Sequence, residues 1–188
     1  MKRCPWCENN DLYIKYHDEE WGVPVHNDIR HFEFLILEGV QAGLSWLIVL
    51  RKRENYRKAY DNFNPVKIAK YDQKKISQLL NNQGIIRNKR KIEASINNAE
   101  KFLEIQNEYG SFDSYIWNFV KNKPIVNGWK KDSEIPSKTA LSDKISKDLK
   151  YRGFKFVGST IVYSHLQATG IVNDHIIDCF RFNQLIKK

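Results

Sequence analysis

Cysteine and histidine side chains near both ends of the chain form a pattern that suits a metal ion. His175 and Cys179 are four residues apart, and on a helix this spacing places both side chains on one face, one turn apart. Cys4, Cys7 and His17 lie near the other end. A zinc ion takes four nitrogen or sulfur ligands in a tetrahedron, so one of these five candidates must be left out. The pair Cys4 and Cys7 is the simplest choice from the sequence, and the alternative set replaces Cys7 by His17.

Either set would make a structural site. Four protein ligands leave no open coordination position for catalysis, so the metal would join the N-terminal segment to the C-terminal segment. The competing interpretation is three separately buried cysteines. The start of the chain lacks the apolar run of a signal peptide, and we expect a cytoplasmic protein in a reducing compartment. There, three cysteines favour metal ligation or burial over a disulfide.

Glu38 is an acidic residue in the middle of an apolar stretch. A buried carboxylate is costly unless it has a partner or a task. Aromatic residues are concentrated in the first quarter of the chain: Trp6, Tyr13, Tyr16, Trp21 and Trp46. Aromatic faces around one carboxylate suit a flat, cationic ligand rich in N–H groups, such as a methylated nucleobase. The competing interpretations are core packing for the aromatic residues and an internal salt bridge to an arginine for Glu38.

A second candidate site is a tight break between two predicted helices at residues 153–158. The backbone N–H groups of Gly158, Ser159 and Thr160, at the start of the following helix, are suited to holding a phosphate. Basic residues add positive charge around this break: Lys144, Lys147, Lys150, Arg152 and Lys155. The competing interpretation is a plain helical hairpin with a solvated basic face.

Charge and composition agree with a nucleic-acid partner. The chain has 188 residues, and 31 Lys and Arg against 22 Asp and Glu give a net charge of +9. Such an excess favours a polyanionic partner, although a soluble protein with many lysines has the same composition. Aromatic residues make up 13% of the chain, which excludes a disordered protein. The longest apolar stretch, residues 32–50, contains two glutamates and is therefore not expected to span a membrane.

Apolar spacing and capping residues predict an all-α fold that positions these groups. The predicted helices cover residues 28–40, 45–60, 72–82, 88–109, 112–120, 142–151 and 159–169, and a further helix begins at Asn64 and Pro65. Asp28 and Ser142 are the predicted N-caps of two of them. Residues 121–137 contain two prolines and a glycine and are predicted to be irregular.

Several motifs together resemble the DNA-3-methyladenine glycosylase I family over nearly the whole chain. They are MKRCPW, YIKYHDEEWGVPVHND, LEGVQAGLSW, GIIRNKRKI, RGFKFVG and GIVNDH. The resemblance implies the helix-hairpin-helix DNA glycosylase fold, in one domain of residues 1–188 with two helical lobes that share one cleft. It also implies a monomer that excises 3-methyladenine from alkylated double-stranded DNA by base flipping and releases the free base.

The resemblance further implies a zinc ion that joins the chain ends. Its ligands fall on Cys4, His17, His175 and Cys179, which leaves Cys7 outside the family pattern.

The resemblance also bears on catalysis. In the wider superfamily, enzymes with lyase activity have a lysine where this chain has Thr160, so no lyase activity is expected. The usual catalytic aspartate is replaced by Asn173, with Asp174 one residue further on.

A 3-methyladenine nucleotide is already cationic and its glycosidic bond is weak, so the enzyme must mainly extrude and position the base. We predict that Tyr16 and Trp46 stack on the flipped base and that Glu38 accepts hydrogen bonds from it. Tyr13, Trp6 and Trp21 are predicted to complete the pocket, and Gln41 and Leu44 to fill the gap left in the duplex. Two competing hypotheses are a non-enzymatic, zinc-clasped nucleic-acid-binding module and an enzyme of the same fold that acts on another lesion.

Overall fold

The computed structural model describes residues 1–186, so the domain expected over residues 1–188 extends two residues beyond the described range. Within it the protein is mostly helical, as predicted. The α-helices are α1 (Asp11–Glu19), α2 (Asp28–Gln41), α3 (Trp46–Ala59), α4 (Pro65–Ile68), α5 (Gln73–Asn81), α6 (Lys89–Tyr109), α7 (Phe112–Asn118), α8 (Ala140–Tyr151), α9 (Ser159–Ala168) and α10 (Phe180–Ile186). Short 3-10 helices occupy Pro5–Cys7, Asp61–Phe63 and Asp132–Glu134. None of the described helices combines the length and apolar character needed to cross a membrane.

Side-chain caps explain why most helix starts were predictable. The side chains of Asn64, Asp72 and Asn88 each accept a hydrogen bond from a backbone N–H three residues on. Gly110, with φ +81°, ends α6 in the conformation that favours glycine.

Two predicted N-caps are wrong by a few residues. Asn27 caps α2, because its side chain accepts from the Arg30 amide at 3.0 Å. Asp28 instead accepts two backbone N–H groups at the start of α7, which fastens α7 to α2. Thr139 caps α8, and Ser142 completes the capping box by accepting from the Thr139 amide at 2.9 Å.

Two short strands were not predicted. β1 (Ile125–Val126) lies inside the stretch expected to be irregular, and it pairs in parallel with β2 (Val172–Asn173). The pairing brings the long segment between α7 and α8 against the segment before His175. The four-residue spacing of His175 and Cys179 does not belong to a helix, because both residues lie in the segment between β2 and α10. They nevertheless meet, since this segment folds the chain back on itself.

Helix α2 forms the centre of the fold and carries Glu38. Ten consecutive residues, 31–40, are buried, and the helix packs against α3, α6, α7 and α9. A helix that is surrounded in this way buries its polar residues together with its apolar ones. Two apolar clusters meet at Trp46: a large one around α2, α6 and α9, and a smaller one that includes Tyr16, Trp21 and Phe34.

Two histidines buried in the core are expected to make the folded protein less stable at low pH. His31 and His165 are buried with ring centroids 5.6 Å apart, and neither ring nitrogen of His165 has a hydrogen-bond partner in residues 1–186. Burial lowers the pKa of both, although Asp113 and Asp28 partly oppose this at His31. Below a pH of about 6.5 the unfolded chain takes up protons that the folded protein does not. The free energy of unfolding should therefore fall as pH decreases from about 6.5, by up to about 1.4 kcal/mol per pH unit for each histidine.

Urea unfolding of the wild type and of His165→Leu between pH 5 and 8 measures this effect. We expect a smaller loss of stability at low pH in the variant, and equal pH dependence of the two proteins would contradict the prediction.

Candidate functional site

A cavity of about 370 Å³ lies where α1, α2, α3 and α9 approach the segment before α8. Its volume is typical of small-ligand sites. The residues that line it are Trp6, Tyr16, Trp21, Glu38, Gln41, Trp46, Asp132, Ile135, Ser164 and Gln167. Six of the predicted site residues are thus brought together. Asp132, Ile135, Ser164 and Gln167 were not identified from the sequence.

Aromatic rings form the walls of the cavity. The ring centroids of Tyr16 and Trp46 are 5.6 Å apart, and those of Trp6 and Trp21 are 5.1 Å apart. Tyr13 contacts Trp6 with a centroid separation of 5.6 Å but is not among the lining residues. Its hydroxyl accepts a hydrogen bond from the Leu47 amide, so Tyr13 fixes the start of α3 against Trp6.

Glu38 has the environment expected of a ligand-binding carboxylate. It is only 4% exposed, and burial raises its pKa to about 8. The charge of Arg53 opposes that rise, but the Arg53 guanidinium forms its ion pairs with Glu33 and Glu20, each at 2.9 Å. The internal salt bridge considered for Glu38 is therefore not formed by Arg53. A cation in the cavity would stabilise the ionised form of Glu38.

Gln41, the last residue of α2, lines the cavity, whereas Leu44, in the turn that follows, is not among the lining residues. Gly43 adopts φ +81°, and the Leu44 amide donates to the Gln41 carbonyl at 2.6 Å. Lys91, from α6, donates to two carbonyl oxygens at the end of α2, at 2.6 and 2.7 Å. Burial lowers the pKa of Lys91. These contacts of Lys91 were not predicted, because their only signal in the sequence is a lysine on the buried side of α6.

The hairpin at residues 153–158 contains a bulky residue in a backbone conformation that favours glycine. Phe156 adopts φ +55°, a left-handed conformation that is rare for a bulky residue. It packs against Gly39, where an added Cβ would lie 3.3 Å from the Phe156 Cβ. The Asn98 amide both donates to and accepts from the Lys155 backbone, at 2.8 Å each. The hairpin is thereby attached to α6 and to the helix that carries Glu38.

Helix α9 begins at Ser159, as predicted. Gly158 is its N-cap residue and provides no side-chain cap. The Ser159 hydroxyl is hydrogen-bonded to Ser142 at 2.8 Å, and Thr160 is exposed. One turn further on, Ser164 lines the cavity, so α9 links the hairpin to the cavity.

The metal candidates converge into a buried group near the cavity. Cys179 Sγ lies 3.4 Å from His17 Nε2 and 3.5 Å from His175 Nδ1. Cys4 Sγ lies 3.7 Å from His175 Nδ1, and all four ligand atoms are within 4.8 Å of one another. The Cys7 thiol instead donates to the Cys4 carbonyl at 3.1 Å and is not part of the group. Of the two sets left open by the sequence, the geometry favours the one with His17.

Hydrogen bonds orient the two histidines of this group as metal ligands. His17 donates its Nδ1–H to Asp18 at 2.8 Å, and Arg3 holds Asp18 with three further contacts of 2.8–3.0 Å. His175 donates its Nε2–H to the Trp21 carbonyl at 3.0 Å. Each ring thus turns its free nitrogen toward the thiols, which is how metal-binding histidines are oriented.

The chemistry of the thiols and the space around them also agree with a metal-binding site. Hydrogen bonding to Cys4, and then to the two imidazoles, lowers the pKa of the Cys179 thiol and so favours the thiolate that binds metal. Gly22, with φ +75°, leaves the space that His175 occupies, because an added Cβ would lie 3.0 Å from that ring. Two sulfur and two nitrogen donors suit tetrahedral zinc.

Asp174 is occupied by structural hydrogen bonds. It is fully buried and accepts from four side chains: Asn127, Trp129, Tyr163 and Gln167. These bonds fasten the segment after β1 to α9. Neither Asn173 nor Asp174 is among the residues that line the cavity.

Comparisons with known proteins agree with this architecture. The family model described as methyladenine glycosylase matches residues 6–182. The chain belongs to the methyladenine glycosylase family. It is 49% identical to DNA-3-methyladenine glycosylase 1 of Escherichia coli (strain K12) over 179 residues, which cover 95% of this chain and 96% of that protein. The protein is therefore a DNA glycosylase, and the resemblance seen in its motifs is confirmed.

Solved structures of methyladenine glycosylases share the fold. The structure of 3-methyladenine DNA glycosylase I from Staphylococcus aureus is 36% identical, with a TM-score of 0.93 and coverage of 97% of both chains. A Y16F variant of a 3-methyladenine DNA glycosylase I, in complex with 3-methyladenine, is 35% identical, with a TM-score of 0.93 and coverage of 97% of this chain and 98% of that chain. A relative with the same fold thus binds the methylated base.

Proposed function

We propose that the protein hydrolyses the N-glycosidic bond of 3-methyladenine in alkylated double-stranded DNA, in base-excision repair. The observation that carries the proposal is the cavity itself, in which Glu38 is buried among aromatic rings and forms no ion pair with any residue of 1–186. Relatives named for this activity, one of them in complex with 3-methyladenine, support it.

The flipped base enters the cavity and stacks on Tyr16 and Trp46, with each stacking contact contributing on the order of 1–3 kcal/mol. Trp6 and Trp21 close the remaining walls, and Tyr13 supports Trp6 from behind. Glu38 accepts hydrogen bonds from the base and stabilises its positive charge. Arrival of the cation lowers the pKa of Glu38 from its raised value, so that binding releases a proton.

The bond between the sugar C1′ and the base nitrogen breaks with both electrons going to the base, which leaves as a neutral molecule. Water adds to C1′ and loses its proton to solvent. Because Thr160 stands where lyases of the superfamily have their lysine, no Schiff base forms and the strand stays intact. Neutral adenine is rejected because its glycosidic bond is stronger and it lacks the charge that Glu38 stabilises.

On the DNA side, the backbone N–H groups of Gly158, Ser159 and Thr160 hold a phosphate at the start of α9. Lys155, exposed on the hairpin, contributes charge. Gln41 and Leu44 occupy the gap left by the flipped nucleotide. We infer that the protein acts as a monomer.

The buried group of Cys4, His17, His175 and Cys179 holds a structural zinc ion in this proposal. The ion joins the segment that carries Trp6 to the C-terminal segment and takes no part in bond cleavage. The residues of the chain bind the base without it.

If the hairpin binds a phosphate, removal of its exposed lysine should change how DNA affinity depends on salt. Lys155→Ala should weaken binding to methylated and unmodified duplexes alike, and should reduce the slope of log affinity against log salt by about 1, because one phosphate contact is lost. Fluorescence anisotropy at several salt concentrations measures both. Lys58→Ala, which removes an exposed lysine at the far end of α3, is the control and should leave the slope unchanged. Equal slopes for wild type and Lys155→Ala would argue against the hairpin as a phosphate site.

Incubation with methylated duplex DNA, followed by chromatography of the released bases, tests the function. We expect free 3-methyladenine and intact strands. Release of an oxidised base instead would favour an enzyme of the same fold that acts on another lesion. Binding of DNA without release of any base would contradict the proposal.

A further inference from the structure

Asp132 is a second carboxylate on the wall of the cavity. It begins the 3-10 helix Asp132–Glu134, in the long segment between β1 and α8, and it lines the same space as Glu38. Its Oδ2 accepts a hydrogen bond from the Trp6 amide at 3.1 Å. Asp132 is therefore fixed to the segment that carries one of the aromatic walls.

The carboxylate of Asp132 is poorly compensated within residues 1–186. Its Oδ1 is buried and makes no hydrogen bond within residues 1–186. In the same range, no lysine, arginine or histidine forms an ion pair with it. A buried carboxylate oxygen without a donor or cation is destabilising, unless the site receives a positive charge when it works.

We propose that Asp132 is a specificity-determining residue that supplies the second negative charge of the cavity and, with Glu38, selects an N-alkylated, cationic purine over a neutral one. This inference rests on the proposed function, because it assumes that the cavity receives the base.

The way Asp132 acts follows from its burial. Oδ1 is shielded from solvent, so the residue acts through its charge rather than through a hydrogen bond to the base. In a cavity with aromatic walls, charges interact more strongly than they do in bulk water. Burial disfavours the ionised form of both carboxylates, and a bound cation opposes that effect at each of them. A neutral purine offers neither gain.

The experiment compares two small probes of similar shape. One is 3,9-dimethyladeninium, which carries the fixed positive charge of the methylated nucleotide, and the other is 9-methyladenine, which is neutral. Both affinities are measured by quenching of tryptophan fluorescence, since three tryptophans line the cavity. Asp132→Asn keeps an oxygen that accepts from the Trp6 amide and removes only the charge. Glu100→Gln removes an exposed carboxylate of α6 and is the matched control.

We expect Asp132→Asn to bind the cation about tenfold more weakly and the neutral probe unchanged, so that the preference for the cation falls about tenfold. Asp132→Glu should retain the preference, and Asp132→Ser replaces the Asn variant if that protein does not fold. An unchanged preference in the charge-removing variants, or an equal loss for both probes, would show that Asp132 only holds Trp6 in place.

The two proposals fail in different ways. If the wild type releases 3-methyladenine but Asp132→Asn retains the preference, the inference alone is wrong. If the wild type neither releases the base nor binds the cation, the proposed function is wrong and the inference is overturned with it.

Discussion

Glu38→Gln is expected to lower the rate of 3-methyladenine release by about 10²–10³-fold. The glutamine keeps the size and the hydrogen-bonding oxygen but removes the negative charge that stabilises the positive charge of the methylated nucleotide while its glycosidic bond breaks. Single-turnover release of base from methylated duplex DNA measures the effect. Affinity for unmodified DNA should not change, because Glu38 lies inside the cavity rather than on the hairpin.

The same variant should be at least as stable as the wild type. The pKa of Glu38 is about 8 in the folded protein, well above its ordinary value, so the folded state resists its ionisation. The unfolded chain loses this proton above its ordinary pKa of about 4.3, so between there and pH 8 wild-type stability decreases with pH on account of this group. Glu38→Gln removes that decrease. Wild-type activity in a folded Glu38→Gln protein would mean that Glu38 is only structural.

Loss of a metal ligand should have the second large effect. His17→Ala is expected to lose the zinc ion proposed for this group and to lower Tm by about 10 °C or more, because the link between the chain ends is lost and buried thiols are left unsatisfied. Elemental analysis and thermal unfolding of the purified protein measure the two effects. Base release should also fall, because Pro5–Cys7, which carries Trp6, follows directly after the ligand Cys4.

Cys7→Ser is the matched control for the metal site. It removes a buried thiol that donates only to the Cys4 carbonyl, so zinc content should stay at one ion per protein. Loss of zinc in Cys7→Ser together with full zinc in His17→Ala would contradict the ligand set favoured by the geometry.

The helices were largely predictable, because their starts and ends are determined by local chemistry. Caps such as Asn64 and Asn88 and the terminal Gly110 act within one turn of the chain. β1 and β2 have two residues each, too few to show an alternating pattern, and form only because distant segments meet. The spacing of His175 and Cys179 would fit a helix, but both residues lie in the segment between β2 and α10.

The residues of the site also differ in whether the local sequence could reveal them. Glu38 could be recognised because a glutamate in an apolar stretch conflicts with its surroundings in the sequence itself. Asp132 and Gln167 have ordinary polar neighbourhoods, so nothing local marks them, and only the folded chain brings them to the cavity. The choice between Cys7 and His17 likewise depended on the direction of side chains in space. Lys91 was hidden among other basic residues of its motif.

The most direct test of the central claim is a crystal structure of the protein with bound 3-methyladenine. We predict that the base lies in the cavity of α1, α2, α3 and α9, stacked against Tyr16 and Trp46. A Glu38 carboxylate oxygen should lie about 3 Å from a nitrogen of the base. A base bound elsewhere, or bound in the cavity without contact to Glu38, would contradict the account.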